Sequence, residues 1–199
     1  AELNKLKIWA CYYYHQMGFN ITHIIPSKLE YSTLQQQHPQ TPPLFKKNPY
    51  KSSANKRDNF DVIRQNYSDV ESFDWVNAKG IGTVTGLNSL RALDFDNCTD
   101  IEFIKLALSI LELPLDYEWV VNTGSKNGFH IIFYSDVLYE FPCYKTRIRF
   151  YKSNNEYTSK FKKLDLIWKN HLILPPSLHH SGNKYEFVFT DCPLEKPRF

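Results

Sequence analysis

Short apolar strands recur in pairs separated by only a few turn residues, and that spacing constrains the fold most. "IGTVTG" (81–86) and "SLRALDFD" (89–96) flank a tight turn, and "YEWVVNT" (117–123) and "GFHIIFY" (128–134) flank "GSKN". "KLDLIWK" (163–169) and "HLILPPS" (171–177) form a third pair, while "NITHIIP" (20–26) and "KYEFVF" (184–189) read as further strands. Parallel neighbours need a long crossover, so such short links favour antiparallel hairpins. Helical patterns stand between them. Residues 3–19 space Leu3, Leu6, Ile8, Trp9, Tyr12, Tyr13 and Met17 as an amphipathic helix closed by Gly18. Residues 57–67 and 70–78 read as two shorter helices. Residues 98–113 read as a helix that Thr99 or Asp100 can cap, with Glu102 three positions after Thr99 as a capping box requires. The expected fold class is therefore α+β with a largely antiparallel sheet, not a doubly wound one.

Composition sets the limits. The 199 residues are 42% hydrophobic and 16% aromatic, enough for a packed interior and against a collagenous, coiled-coil or disordered chain. That length allows one large domain or two small modules sharing a core. Cys11, Cys98, Cys143 and Cys192 are scattered without a CxxC, so no zinc is expected and free thiols in a reducing cytoplasm are. No apolar run of membrane-spanning length and no signal peptide is present, so a soluble cytoplasmic protein with no membrane partner is the expectation.

The net charge of +3 is small, but it is unevenly spread. Residues 44–57, "LFKKNPYKSSANKR", carry five basic residues and no acid; residues 144–163 carry seven against one glutamate, with aromatics interleaved. Such stripes suit a phosphate backbone, though they also read as solvated loops. Residues 34–57, with four prolines and three consecutive glutamines, read as an extended loop.

Asp94 and Asp96 stand two apart on a strand and so share one face, about 7 Å apart by strand rise. Leu93 and Phe95 take the other face. Two carboxylates this close repel unless a cation lies between them, and hard oxygen ligands suit Mg²⁺ or Mn²⁺. The pair also reads as protective charge on a solvent-facing edge strand. An EF-hand does not fit, because Cys98 and Thr99 occupy the positions needing an oxygen ligand and glycine. No GxxxxGK[ST] phosphate loop is present. In "VVNTGSKNGFHIIFY" (120–134), glycines let backbone N–H groups approach phosphate oxygens, and Ser125, Lys126, Asn127 and His130 add side-chain donors. Asp165 interrupts an apolar strand, where a lone carboxylate is costly unless paired or metal-bound. Pro175 and Pro176 then make a turn that aims Ser177 and His179.

Together "ALDFD", "SKNGFH" and "LDLI" resemble the archaeo-eukaryotic primase superfamily, most closely its prim-pol branch, the bifunctional primase/polymerase catalytic domain. That family carries a DxD motif on a strand, a second motif of the form SxxxxH or SGGxH, and a third carboxylate on a later strand. The flanks "GIGTVTGLNSL" and "LILPPSLHHSGNKYEF" and the opening "WACYYYHQMGFNITHIIP" are similar too. Lys126 departs from the pattern, standing where glycine is common, and "LIWKN" follows Asp165 where some relatives have a basic residue and glycine.

The resemblance implies an N-terminal α/β module over 1–84 and an RRM-like catalytic module over 85–199, making one composite domain. It implies template-directed nucleotidyl transfer, with two divalent ions, Mg²⁺ or Mn²⁺, held by Asp94, Asp96 and Asp165. His130 joins the catalytic group. Ser125, Lys126, Asn127, His130, Ser177 and His179 would meet the nucleotide. The implied partners are a single-stranded or primed DNA template and a (d)NTP, with a helicase or other C-terminal domain in a full-length protein. Two other readings stay open on the residues alone: a non-catalytic module that binds single-stranded nucleic acid, and another DxD metal-dependent phosphoryl-transfer enzyme.

Overall fold

The computed structural model describes residues 4–24, 63–136, 147–151, 160–179 and 181–198. Helix α1 (Lys5–Ile8) is capped by Asn4 and runs into a π-helical turn, Trp9–Tyr14. Strand β1 (Ile21–Ile24) follows, then helix α2 (Tyr67–Glu71) and β2 (Gly80–Val84). A 3₁₀ turn (Leu87–Ser89) leads to β3 (Leu90–Asp96) and helix α3 (Ile101–Ile110). The remaining strands are β4 (Val120–Asn122), β5 (Gly128–Tyr134), β6 (Arg147–Tyr151), β7 (Lys163–Ile167), β8 (His171–Leu174) and β9 (Glu186–Phe187).

Two sheets result, of strand order β1-β2-β8 and β6-β7-β3-β5-β4-β9, and every pairing is antiparallel. The protein is α+β with antiparallel sheets. No helix among the described residues is long and apolar enough to cross a membrane.

Of the three expected hairpins, only β4–β5 pairs with itself. Strands β2 and β3 lie in different sheets, as do β7 and β8. Left-handed backbone at Asn88 and Ser89, beside Gly86 at φ 117°, swings the chain out of the small sheet. The return crossing lies against it: Thr85 N–H donates to the Asn170 carbonyl at 2.8 Å, and Asn170 N–H donates to Thr85 Oγ1 at 2.8 Å. Arg91 holds the same corner, donating to the Trp168 carbonyl at 2.9 Å with its guanidinium 3.9 Å from the Trp168 ring centre. Because β2 pairs β8 and β3 pairs β7, two chain segments cross between sheets as one bent ribbon. The small sheet therefore takes its third strand, β8, from the C-terminal half.

All four helix expectations change in detail. The first helix widens to i→i−5 bonding at His15 and Phe19. The wider turn lets Trp9 pack on Tyr13 and Tyr14, with ring centres 4.8 and 5.6 Å apart. Residues 63–66 are not helical, while 57–62 lie outside the described residues. Gln65 instead clamps Ile21, accepting from its N–H at 2.7 Å and donating to its carbonyl at 2.9 Å. Helix α2 starts only at Tyr67, through an Asn66–Asp69 capping box, and ends well short of residue 78. Helix α3 is capped by Asp100, which accepts from Glu102 and Phe103 N–H, not by Thr99.

The large sheet is covered on the Phe95 face, where Phe95 meets Phe103 of α3 and Phe161 edge-on, each at 5.9 Å. Ile104 and Leu108 of α3 are fully buried. An aromatic chain from Tyr14 through Phe19 and Trp119 to Phe187 joins the N-terminal segment to the sheet. The expected loop over 34–57 and its basic run lie outside the described residues, as does Cys143. Cys11, Cys98 and Cys192 are free thiols.

Candidate active site

Alternation and register together assemble the site. Asp94 is opposite His130 of β5 on one side and opposite Asp165 of β7 on the other. One residue pair along the same face, Asp96 is opposite Lys163 and Gly128. Directly opposed residues share a face with Cβ atoms about 5 Å apart. The DxD pair, the histidine and the third acid thus converge on three adjacent central strands. Arg149 of β6 is opposite Asp165 on the next strand out.

The face grades from core to water along the strand. Leu90 and Ala92 are buried, the Asp94 side chain is 16% exposed, and that of Asp96 is 44% exposed. The acids therefore sit where the apolar interior of the sheet ends. Asp165 lies on the inner side of this boundary, its side chain 2% exposed. Burying a carboxylate so fully is costly without partners, and Lys163 Nζ lies 3.7 Å from its Oδ2. The same ammonium is in contact with Asp96 Oδ2.

His130 Nε2 lies 3.3 Å from Asp94 Oδ1, while the buried Nδ1 has no hydrogen-bond partner. Tyr185 stacks near this imidazole, its ring centre 6.0 Å away and tilted 37°, and lies 5.9 Å from the His179 ring. Burial foremost, then the Asp94 and Asp96 carboxylates, push the Tyr185 phenol well above its ordinary range. Tyr185 belongs to the site, although in the sequence it reads as an ordinary strand residue marked only by its place beside the Ser177–His179 segment.

The β4–β5 turn stands at the open end of the same face. Ser125, Lys126 and Asn127 are all exposed. Thr123 and Ser125 hydroxyls bond at 2.8 Å, and Asn127 N–H donates to Ser125 Oγ at 3.2 Å. Lys126 adopts the left-handed conformation, φ 58°, which explains why glycine would suit that position. Two glycines are needed for space. A Cβ at Gly128 would come within 2.6 Å of the Phe95 carbonyl oxygen, and one at Gly124 within 2.1 Å of His179 Cβ.

Ser177 and His179, both expected at the nucleotide, are placed differently from each other. Ser177 is 1% exposed, and its hydroxyl accepts from Ile81 N–H at 2.7 Å. That hydroxyl lies inside the protein, fastening the turn after β8 to β2. His179 lies on the loop that covers Gly124, with Nδ1 bonded to Ser181 Oγ at 2.9 Å and the ring against Tyr185. In the basic stretch 144–163, Lys163 pairs with the acids and Lys160 Nζ pairs with Asp100 Oδ2 at 3.0 Å.

Three carboxylates on one face form a hard-oxygen donor set of the kind Mg²⁺ and Mn²⁺ take. As the side chains stand, no three His, Cys, Asp or Glu among the described residues form a ready metal cage. The cation between Asp96 and Asp165 is the Lys163 ammonium, which marks that space as one where positive charge is stabilised.

Comparison with curated proteins finds no match. A family model does match: Prim-Pol, the bifunctional DNA primase/polymerase N-terminal domain, over residues 10–198. Since that match spans nearly the whole chain, with all three motifs inside it, the chain belongs to the Prim-Pol family of primase/polymerase nucleotidyltransferases.

Proposed function

We propose that this domain adds nucleotides, from (d)NTPs, to a 3′-hydroxyl on a single-stranded or primed DNA template. The observation that carries the reading is the register that sets Asp165 and His130 on either side of Asp94, with Asp96 on the same face. Asp94, Asp96 and Asp165 would hold two divalent ions, Mg²⁺ or Mn²⁺. When bound, such ions lower the pKa of an attacking hydroxyl and neutralise the triphosphate.

The protein's own groups do the positioning. The contact between His130 Nε2 and Asp94 Oδ1 holds one carboxylate in place while the sheet fixes the other two. Ser125, Lys126 and Asn127, exposed at the open end, offer donors to the phosphates. Tyr185 lies beside the imidazole, its ring centre 6.0 Å away. A nucleotide held this way meets the template terminus in a fixed orientation, which supplies much of the rate gain in such transfers. No side chain need act as nucleophile.

Asp94→Ala and Asp96→Ala should abolish extension of a primed template with labelled dNTPs and Mn²⁺, while template binding stays within about threefold because cationic side chains dominate it. Normal extension by both variants would remove the carboxylates from the chemistry. Template binding that is indifferent to divalent ions, with no product under any condition, would favour a non-catalytic binding module.

A further inference from the structure

Lys163 is two residues before Asp165 on β7, so the two share a face, and it is directly opposite Asp96 of β3. Its ammonium touches Asp96 and lies 3.7 Å from buried Asp165, and the side chain is only 23% exposed. This is no solvated surface lysine. It stands between two of the acids that, on the function proposed above, share divalent ions.

We propose that Lys163 is a placeholder cation, offsetting the repulsion between Asp96 and Asp165 until a divalent ion displaces it. The inference rests on the metal role of those acids. Three carboxylates gathered without any cation would disfavour the assembled site, most of all at Asp165, which water hardly reaches. A lysine serves this purpose and can still leave: it is a point charge on a flexible stem, unlike a guanidinium fork that binds a carboxylate with two bonds. Asp96 is the more exposed partner, so the ammonium has a path outward along it. A divalent ion entering this space must break both ammonium contacts, and the protein is thereby set to a weaker metal affinity than its acids alone would provide.

The test is Mn²⁺ binding to the protein without nucleotide or DNA, followed by loss of the free Mn²⁺ electron paramagnetic resonance signal. Lys163→Met should bind Mn²⁺ about tenfold more tightly than the unsubstituted protein, since one opposing charge close to the ion is gone. Lys163→Gln should behave the same way, and serves where the Met variant fails to fold by circular dichroism. Lys163→Arg keeps the charge and should bind no more tightly than the unsubstituted protein.

Equal or weaker binding by both neutral variants, with measurable binding by the unsubstituted protein, overturns the placeholder role and leaves the metal reading standing. Absence of binding in all of these proteins overturns both together. Binding gained only in the neutral variants supports the placeholder in its strongest form.

Discussion

Tyr185 shows how the site's charge reaches a residue that holds no charge itself. Its phenol is buried, lies beside His130, and feels the carboxylates of Asp94 and Asp96. Burial foremost, then the two carboxylates, favour the neutral form. Tyr14 and Tyr117 are likewise held neutral, mainly by burial. Where the folded pKa lies above the unfolded one, stability is fully present below the unfolded value and is lost as pH rises through and beyond it. The urea midpoint should therefore hold up to about pH 10, the ordinary tyrosine range, and fall steadily above it. A midpoint unchanged between pH 9 and 11 would show that these phenols ionise as freely in the folded protein as in the unfolded chain.

At the scale of an element, the β4–β5 hairpin combines strain with exposure. Residues 117–134 read as two strands around a turn from local pattern alone, and the pairing Val121–His130 bears this out. The turn's conformation was less legible, because lysine at 126 gives no hint of φ 58°. Lys126→Gly should remove a left-handed strain of about 1 kcal/mol, partly offset by glycine's greater freedom when unfolded. Chemical denaturation should show equal or slightly raised stability. If Lys126 meets the triphosphate, the same variant should raise the KM for nucleotide several-fold. A stable variant with unchanged KM would assign that contact to Ser125 and Asn127 alone.

Across the whole molecule, the two sheets depend on each other through the crossing ribbon and the turn that follows β8. Ser177 joins that turn to β2, accepting from Ile81 N–H at 2.7 Å while its hydroxyl donates to the Leu174 carbonyl at 2.5 Å. Tyr185 N–H then donates to the Ser177 carbonyl at 2.8 Å, so the fastening continues to the site. Ser177→Ala should cost about 1–3 kcal/mol by leaving a buried N–H without its partner. Extension per folded molecule should remain near normal. Activity lost without loss of stability would instead return Ser177 to the nucleotide-binding role first expected of it.

Some of this protein is written in short stretches of chain. The shared face of Asp94 and Asp96 follows from strand alternation, and a four-residue link brings the strand of His130 back beside its neighbour. Those are properties of adjacent covalent geometry, and they hold whatever else the protein does. Strand partners chosen at a distance are another matter. That Asp165 stands opposite Asp94, that Lys163 reaches Asp96, that Tyr185 backs His130, and that two apparent hairpins divide between sheets were all decided by tertiary packing. Which edge a strand joins depends on the apolar surface buried across the entire assembly, and no local window of residues contains that sum.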